Sequence, residues 1–469
     1  MTIIDFSIEV YLIFFDNLIV AVDMDEKPKH EEQMTNISFF TFHKRKDSLI
    51  YRKDSRNQTF DMFSATVILL GCAYGTDPFF FGGGFDCGFG LMIFLVTFVF
   101  ALVIFSYFLM MKCWIYGVTF SYRTLWETTI SKRLSFLPDL FIFLNYLSWV
   151  LYYYDEAYWM FIEIMNYFFP GRPKWVDSKF FVNYAITALT SLNIIFQKEL
   201  SGFFYMSIIK IVSITVATEI NVLKLVTRLN DQTFSINANI INRPNNFAKI
   251  CAFIAYAVGV FGNNALIEHI VQFVSKPTYK RITISYIIAE ILSFTYIMSN
   301  SFCSIFMFSH SSFYENFLFY YDPNEPGAIV TKICCYIFLL TTIYPFQWLA
   351  SRHLTQIFSS SWELSNWQEI WFIPQCFACL VTILMSTAWT YMSTYVGLFA
   401  NFFMMAGYIM LYYILPPIFF LRLFKQETRK MPWTISSLFL LIVGIFLFSY
   451  TLVNNFIELV RWARPIGYD

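Results

Sequence analysis

Asp77 stands in the stretch GCAYGTDPFFFGGGF (71–85), behind the lipid-like run FSATVILL (63–70), with Gly75 and Thr76 before it and Pro78 after it. A carboxylate so placed can hold an ammonium group or a coupling cation, with the Thr76 hydroxyl and nearby carbonyls as further ligands. It can equally cap a following helix by accepting its free amides. A second cluster follows Phe261: Gly262, Asn263 and Asn264, then Glu268 and His269. The asparagines can satisfy an interrupted backbone or donate to a carboxylate. Glu268 suits a gate or proton relay, whereas His269, about 100° further round a helix, reads as a packing or surface residue. Lys210 lies about 12 Å into its apolar window at ~1.5 Å per residue. Its ammonium either snorkels back to water or stays inside as a group able to give up and regain a proton. Thr341 and Thr342 supply the hydroxyls that a sodium site would need. An ionised side chain inside a bilayer costs roughly 2.5–3.5 kcal/mol on insertion scales, so each of these residues needs a reason to be there.

The elements that position them must be membrane-crossing helices. The 469 residues are 57% hydrophobic, 21% aromatic and only 14% charged, with a mean hydropathy of +0.55. A soluble protein has about a quarter of its residues charged. Apolar windows of spanning length fall at 61–86, 88–112, 136–168, 180–197, 202–221, 247–272, 282–308, 328–356, 367–391, 393–424 and 433–459, eleven in all. None alternates apolar and polar residues as a β-barrel strand would. The 32 basic and 32 acidic residues cancel, so nothing points to nucleic acid. Most of the nine cysteines lie inside apolar stretches and read as small core residues; CFAC (376–379) has no second pair and does not read as a metal or redox site.

Residues 1–60 read as a cytosolic extension that is largely disordered. Its patch VYLIFF is preceded by Asp5 and Glu9, where a signal peptide wants basic residues. The membrane domain is 61–460, and 461–469 form a short tail on the far side. The bias of lysine and arginine sets the direction. The run HKRKDSLIYRKDSR (43–56), the loop with Arg123, Lys132 and Arg133, SKPTYKR (275–281) and RLFKQETRK (422–430) all fall inside if the N-terminus is cytosolic. The 222–246 loop, with Lys224, Arg228 and Arg243, falls outside and is the one mismatch.

Glycines at 71, 75 and 82–84, with Pro78, either end one helix at Gly71 and restart another at Gly88, or break a single span. The sixth window, FAKICAFIAYAVGVFGNNALIEHI (247–270), carries a polar run at its middle as well. Backbone freed from a helix inside a bilayer must line a cavity or be buried in protein. Paired breaks five windows apart mark an inverted-repeat secondary transporter, in which half-helix ends hold an anionic group and a cation. An α-amino acid suits both.

Four stretches carry a resemblance: YGTDPFF with FDCGFGLMIFL; AYAVGVFGNNALIEHIVQFVSKPTYKR; TTIYPFQWLASRHLTQIF (341–358); and GYIMLYYILPPIFFLRLF (407–424). Together they resemble the amino acid/auxin permeases of the amino acid–polyamine–organocation transporter group. The resemblance implies an all-α integral membrane protein of eleven transmembrane helices with a LeuT-type 5+5 inverted repeat and broken helices 1 and 6. It also implies secondary active amino acid transport driven by protons or sodium, with no other cofactor, a monomeric core and a plasma or vacuolar/lysosomal membrane. The substrate site would then comprise Gly71, Cys72, Gly75, Thr76, Asp77, Phe261, Gly262, Asn263, Asn264 and Tyr158, which matches a family tyrosine. Asp77, Lys210, Thr341, Thr342 and Glu268 would carry the coupling ion. The chain departs from the family at Asp77, where a glycine is usual, and at DEAYW (155–159), where Asp155 and Glu156 replace small residues and suit either a cationic substrate or a wet outer vestibule. A sensor that binds an amino acid without moving it is the alternative on this scaffold. A membrane-embedded enzyme is disfavoured because the five histidines are scattered along the sequence.

Overall fold

In the computed structural model the described residues are 61–73, 88–117, 121–196, 202–230, 247–261, 264–274, 278–308, 316–322, 325–361, 372–391, 393–424 and 431–463. Their elements are helical throughout: α1 (Met62–Ala73), α2 (Phe89–Gly117), α3 (Tyr122–Thr129), α4 (Leu137–Phe168), α5 (Lys179–Phe196), α6 (Phe203–Leu229), α7 (Phe247–Val260), α8 (Asn264–Phe273), α9 (Tyr279–Met307), α10 (Pro326–Ser361), α11 (Phe372–Tyr391), α12 (Ser393–Tyr408), α13 (Leu415–Leu423) and α14 (Met431–Ala463). Single 3-10 turns lie at Lys174–Asp177 and Phe317–Tyr320. Six stretches are long and apolar enough to cross a membrane: Phe89–Gly117, Phe203–Leu229, Tyr279–Met307, Gly327–Ile357, Gly397–Leu423 and Pro432–Ile457. The other five windows carry helix too, as α1, α4, α5, α7 with α8, and α11. This is what a bilayer demands, since only intrahelical bonding satisfies the backbone there.

The core is made by α4, α6, α10 and α12, with α10 packed on α4 and α6, and α12 on α4. Small residues let these helices approach. A Cβ at Gly407 would lie 2.6 Å from the Asn145 Cβ, and from that close crossing the Asn145 amide donates to the Met404 carbonyl at 2.7 Å. Just beyond, the chain widens into a π-turn at Ile409–Ile414. Pro416 and Pro417 follow, and neither can donate to the carbonyl a turn earlier, so the extra residue absorbs the misfit.

Two of the three basic residues that mismatch the lysine and arginine bias lie on a helix end and have partners there. Lys224 pairs with Glu325 at 3.1 Å and Arg228 donates to the Met307 carbonyl at 3.1 Å, both from the last turns of α6. These charges are tied down by partners at the helix end rather than carried on a free loop, whereas Arg243 lies outside the described residues. At the same end Lys332 meets Glu163 at 2.9 Å, and Lys179 pairs with Asp155.

Candidate functional site

Two regions gather the chemistry-bearing side chains. The first surrounds Ala73, the last described residue of α1, and Phe261, which follows the end of α7 at Val260. The Ser293 hydroxyl of α9 donates to the Ala73 carbonyl at 3.1 Å. The next residue, Phe294, packs on Phe261 with ring centres 5.8 Å apart, and Phe100 closes the cluster at 5.4 Å from Phe261. Neighbouring residues on a helix differ in height by ~1.5 Å, so α9 holds Ala73 and Phe261 at nearly the same height. Gly71 lies flat against Ser207 of α6, where a Cβ would come within 2.4 Å of the serine hydroxyl. Cys72 is buried within electrostatic reach of Lys210.

Lys210 is 1% exposed, so it does not snorkel. Its ammonium lies over the ring of Phe338 on α10, 4.8 Å from the centre. One turn further along α10, Thr341 and Thr342 are buried, and their hydroxyls donate to the Ile337 and Phe338 carbonyls at 2.8 and 2.7 Å. The hydrogens are thereby used, and the oxygens keep lone pairs for a cation. Of the remaining expected residues, Gly75, Thr76, Asp77, Gly262 and Asn263 lie outside the described residues, and Asn264 is described only as the first residue of α8. Tyr158 is not in this group: its hydroxyl donates to the Asp177 carbonyl in the 3-10 turn at 2.9 Å, which ties it to the loop between α4 and α5. Asp155, bound by Lys179, lies at that end too. Glu290, the one carboxylate of the 282–308 window, is 1% exposed on α9 and escaped the sequence reading.

The second region was legible only in part. Glu268 is 3% exposed and accepts from the Tyr122 amide at the start of α3, at 3.3 Å. His269, expected at a packing or surface position, is instead inside a polar chain: its Nε2 faces the His353 Nε2 at 3.3 Å, and the His353 Nδ1 meets Asp139 Oδ1 at 2.9 Å. Arg123 on α3 reaches Asp139 Oδ2 at 3.7 Å and donates to the Gln356 carbonyl at 2.9 Å. The histidines are thus scattered in sequence but two of them converge in space, on the beginning of α4, the end of α10 and the short α8. A histidine inside the 328–356 window was the available signal. Among the described residues no group of three His, Cys, Asp or Glu could hold a metal ion.

No family model matches the sequence, and no curated protein sequence matches it. Among solved structures, the chain is similar to a Na+-coupled sialic acid symporter in its substrate-bound outward-open state: TM-score 0.52, 9% identity, covering 87% of this chain and 96% of that one. The chain shares the overall fold of that symporter. MhsT in complex with L-phenylalanine aligns with a TM-score of 0.48 and 11% identity, over 81% of this chain and 98% of that one. At these identities the likeness speaks to the fold.

Proposed function

We propose that the protein is a secondary active transporter of amino acids, with eleven spans, a 5+5 inverted repeat and a mid-membrane site between broken helices 1 and 6. The observation that carries this is that Ala73 and Phe261, the residues that lead into the two expected breaks, meet adjacent residues of α9, Ser293 and Phe294. A helix broken at either place would leave carbonyls pointing past its last turn, partial negative charge that suits an ammonium or a cation. The N-terminus of α8 leaves amides that suit a carboxylate. A zwitterion offers both charges on neighbouring atoms, and the likeness to amino acid/auxin permeases points the same way. On this reading the basic loop beside α3 is cytosolic, and Asp77 and the asparagines at 263 and 264 complete the cradle. Lys210 with Thr341 and Thr342 marks the place where a coupling ion acts.

The test is uptake into proteoliposomes. Radiolabelled amino acids should accumulate against their gradient when a pH or sodium gradient is imposed and should stop when it is collapsed. Asp77→Ala should abolish accumulation while the protein still inserts. Absence of gradient-dependent accumulation for every amino acid tried would dismiss the reading.

A further inference from the structure

We propose that the cleft between the start of α5 and the end of α11 binds the hydroxyl of a sterol-like membrane lipid. The Thr187 and Ser386 hydroxyls face each other across it at 3.5 Å, and it holds about 180 Å³ counting its open mouth. Asn183 lines it and is 2% exposed, yet among the described residues neither its Nδ2 nor its Oδ1 has a hydrogen-bond partner. A buried carboxamide left in that condition is costly, which marks it as a group kept for something outside the chain.

Its neighbours do not meet its need. The Thr187 hydroxyl donates to the Asn183 backbone carbonyl at 2.7 Å, Thr387 to the Ile383 carbonyl at 2.8 Å and Thr390 to the Ser386 carbonyl at 3.0 Å. Those hydrogens are used, and the oxygens keep lone pairs. Deeper between the helices the hydroxyls serve one another: Tyr154 joins Thr190 at 2.9 Å and Gln347 at 3.2 Å. The cleft therefore offers a carboxamide that both donates and accepts, beside oxygens that accept. A hydroxyl, with a hydrogen and lone pairs on one small atom, matches that set. Among the described residues no charged side chain lines the cleft, so a phosphate or ammonium headgroup would enter without a counter-charge.

The place of the cleft in the fold narrows the ligand further. Asn183 lies four residues, ~6 Å, along α5 from its start at Lys179, and Thr390 is one residue from the end of α11 at Tyr391. The cleft is thus near a membrane boundary, where the exposed Trp175 and Tyr184 stand as boundary aromatics do. A lipid hydroxyl at that depth keeps its body in hydrocarbon. Phe180 and Tyr184 stack at the mouth with ring centres 6.0 Å apart, and both are exposed, so they can turn aside to admit it. On the α11 side Ile383 lines the cleft, and Leu380, one turn deeper, is exposed to lipid. A rigid, flat apolar body rests on such a surface at little entropic cost, whereas an acyl chain must be ordered to do so.

The site stands on the cleft alone and holds whether or not the chain transports amino acids. The test uses purified full-length protein in phosphatidylcholine nanodiscs with a photoactivatable cholesterol. Labelling should fall in Lys179–Phe196 and Phe372–Tyr391. Cholesterol or ergosterol should displace it. Cholesterol methyl ether, which cannot donate, and diacylglycerol, which has a hydroxyl without the flat body, should displace it several-fold less well. Asn183→Leu should weaken labelling several-fold, as should Tyr184→Ala, a change at an exposed position that leaves folding intact. In sterol-free nanodiscs Asn183→Leu should melt no lower than the wild type, and added cholesterol should raise the melting point of the wild type alone. Labelling that is unchanged in both variants, or displaced equally by the ether, means ordinary lipid contact and overturns the site. A lower melting point for sterol-free Asn183→Leu means that water or protein already satisfies the amide, and overturns it too. Equal displacement by diacylglycerol refutes the sterol.

Discussion

Gly71→Ala is the sharpest probe of how α1 is seated. The new Cβ would sit 2.4 Å from the Ser207 Oγ, 2.5 Å from its Cβ and 3.0 Å from its Cα. Rotating the serine hydroxyl relieves only the first contact, since the Cβ and Cα belong to the frame of α6. α1 must therefore move off by several tenths of an ångström, an overpacking whose cost is about 1–3 kcal/mol. Ser207→Gly removes the two worst contacts and leaves the 3.0 Å approach to the Cα. The double variant should regain most of the loss, with a coupling of about 1–2 kcal/mol in a four-protein cycle. Denaturant unfolding in detergent measures the cycle, and transport measured alongside should fall and recover in parallel, because Gly71 lies two residues from the Ala73 carbonyl held by Ser293. A loss below about 0.5 kcal/mol for Gly71→Ala, or the same loss with and without Ser207, would refute the close seating.

Three further outcomes follow from the same coordinates. Glu163→Ala strands Lys332, which is 2% exposed, and should cost more than Lys332→Met, which leaves Glu163 at 32% exposure in partial contact with water: about 2–4 against under ~1 kcal/mol, read by unfolding in detergent. Asn221→Ala removes the acceptor of the Tyr321 hydroxyl and the donor to Asn300, both at 2.9 Å, and should cost about 1–2 kcal/mol with a visible loss of hydrogen-exchange protection at the ends of α6 and α9. Asp61→Ala removes the carboxylate that accepts from the Ser64 amide at 2.8 Å and should lower stability by about 1 kcal/mol. The Ser64 hydroxyl and amide hold the Asp61 carboxyl below its usual range. The folded-state value is thus the lower one, so the contribution is full above the ordinary carboxylate range and fades as pH falls through it. Melting curves of wild type and Asp61→Ala should converge on acidification.

Hydropathy made the helices legible because a bilayer leaves few other ways to bond a backbone, and every one of the eleven windows carries helix. The end of α7 was legible from Gly262 and Asn263, which cannot sustain an apolar helix. The ends of long helices were not. Asp139 stands near the start of one apolar window and His353 near the end of another; neither has a local pattern that announces the other, 214 positions away. Tyr158, carried over by resemblance, has its hydroxyl on a loop carbonyl, a contact that no local pattern announces either. Long-range polar contacts depend on helix rotation, which a few degrees of packing decide and periodicity alone does not fix.

Whether α10 can hold a cation can be reasoned from one of its faces. The Lys210 ammonium rests on Phe338, and the threonine oxygens sit one turn on, at the third and fourth positions after it, which share its face. A sodium ion held by Thr341 and Thr342 would then lie on the order of 6 Å from a charged ammonium. At an effective dielectric of about 20 that repulsion is roughly 3 kcal/mol, enough to weaken sodium binding about 100-fold. A charged Lys210 and a sodium ion on these threonines are therefore competitors. Lys210→Met removes the charge while keeping much of the buried bulk, so sodium should stabilise the variant at concentrations that leave the wild type unchanged. Thr342→Val in the Lys210→Met background should cancel the gain. Equal melting shifts with sodium and with choline in Lys210→Met would mean that these oxygens form no cation site, and that the lysine is there for its own proton or for packing alone.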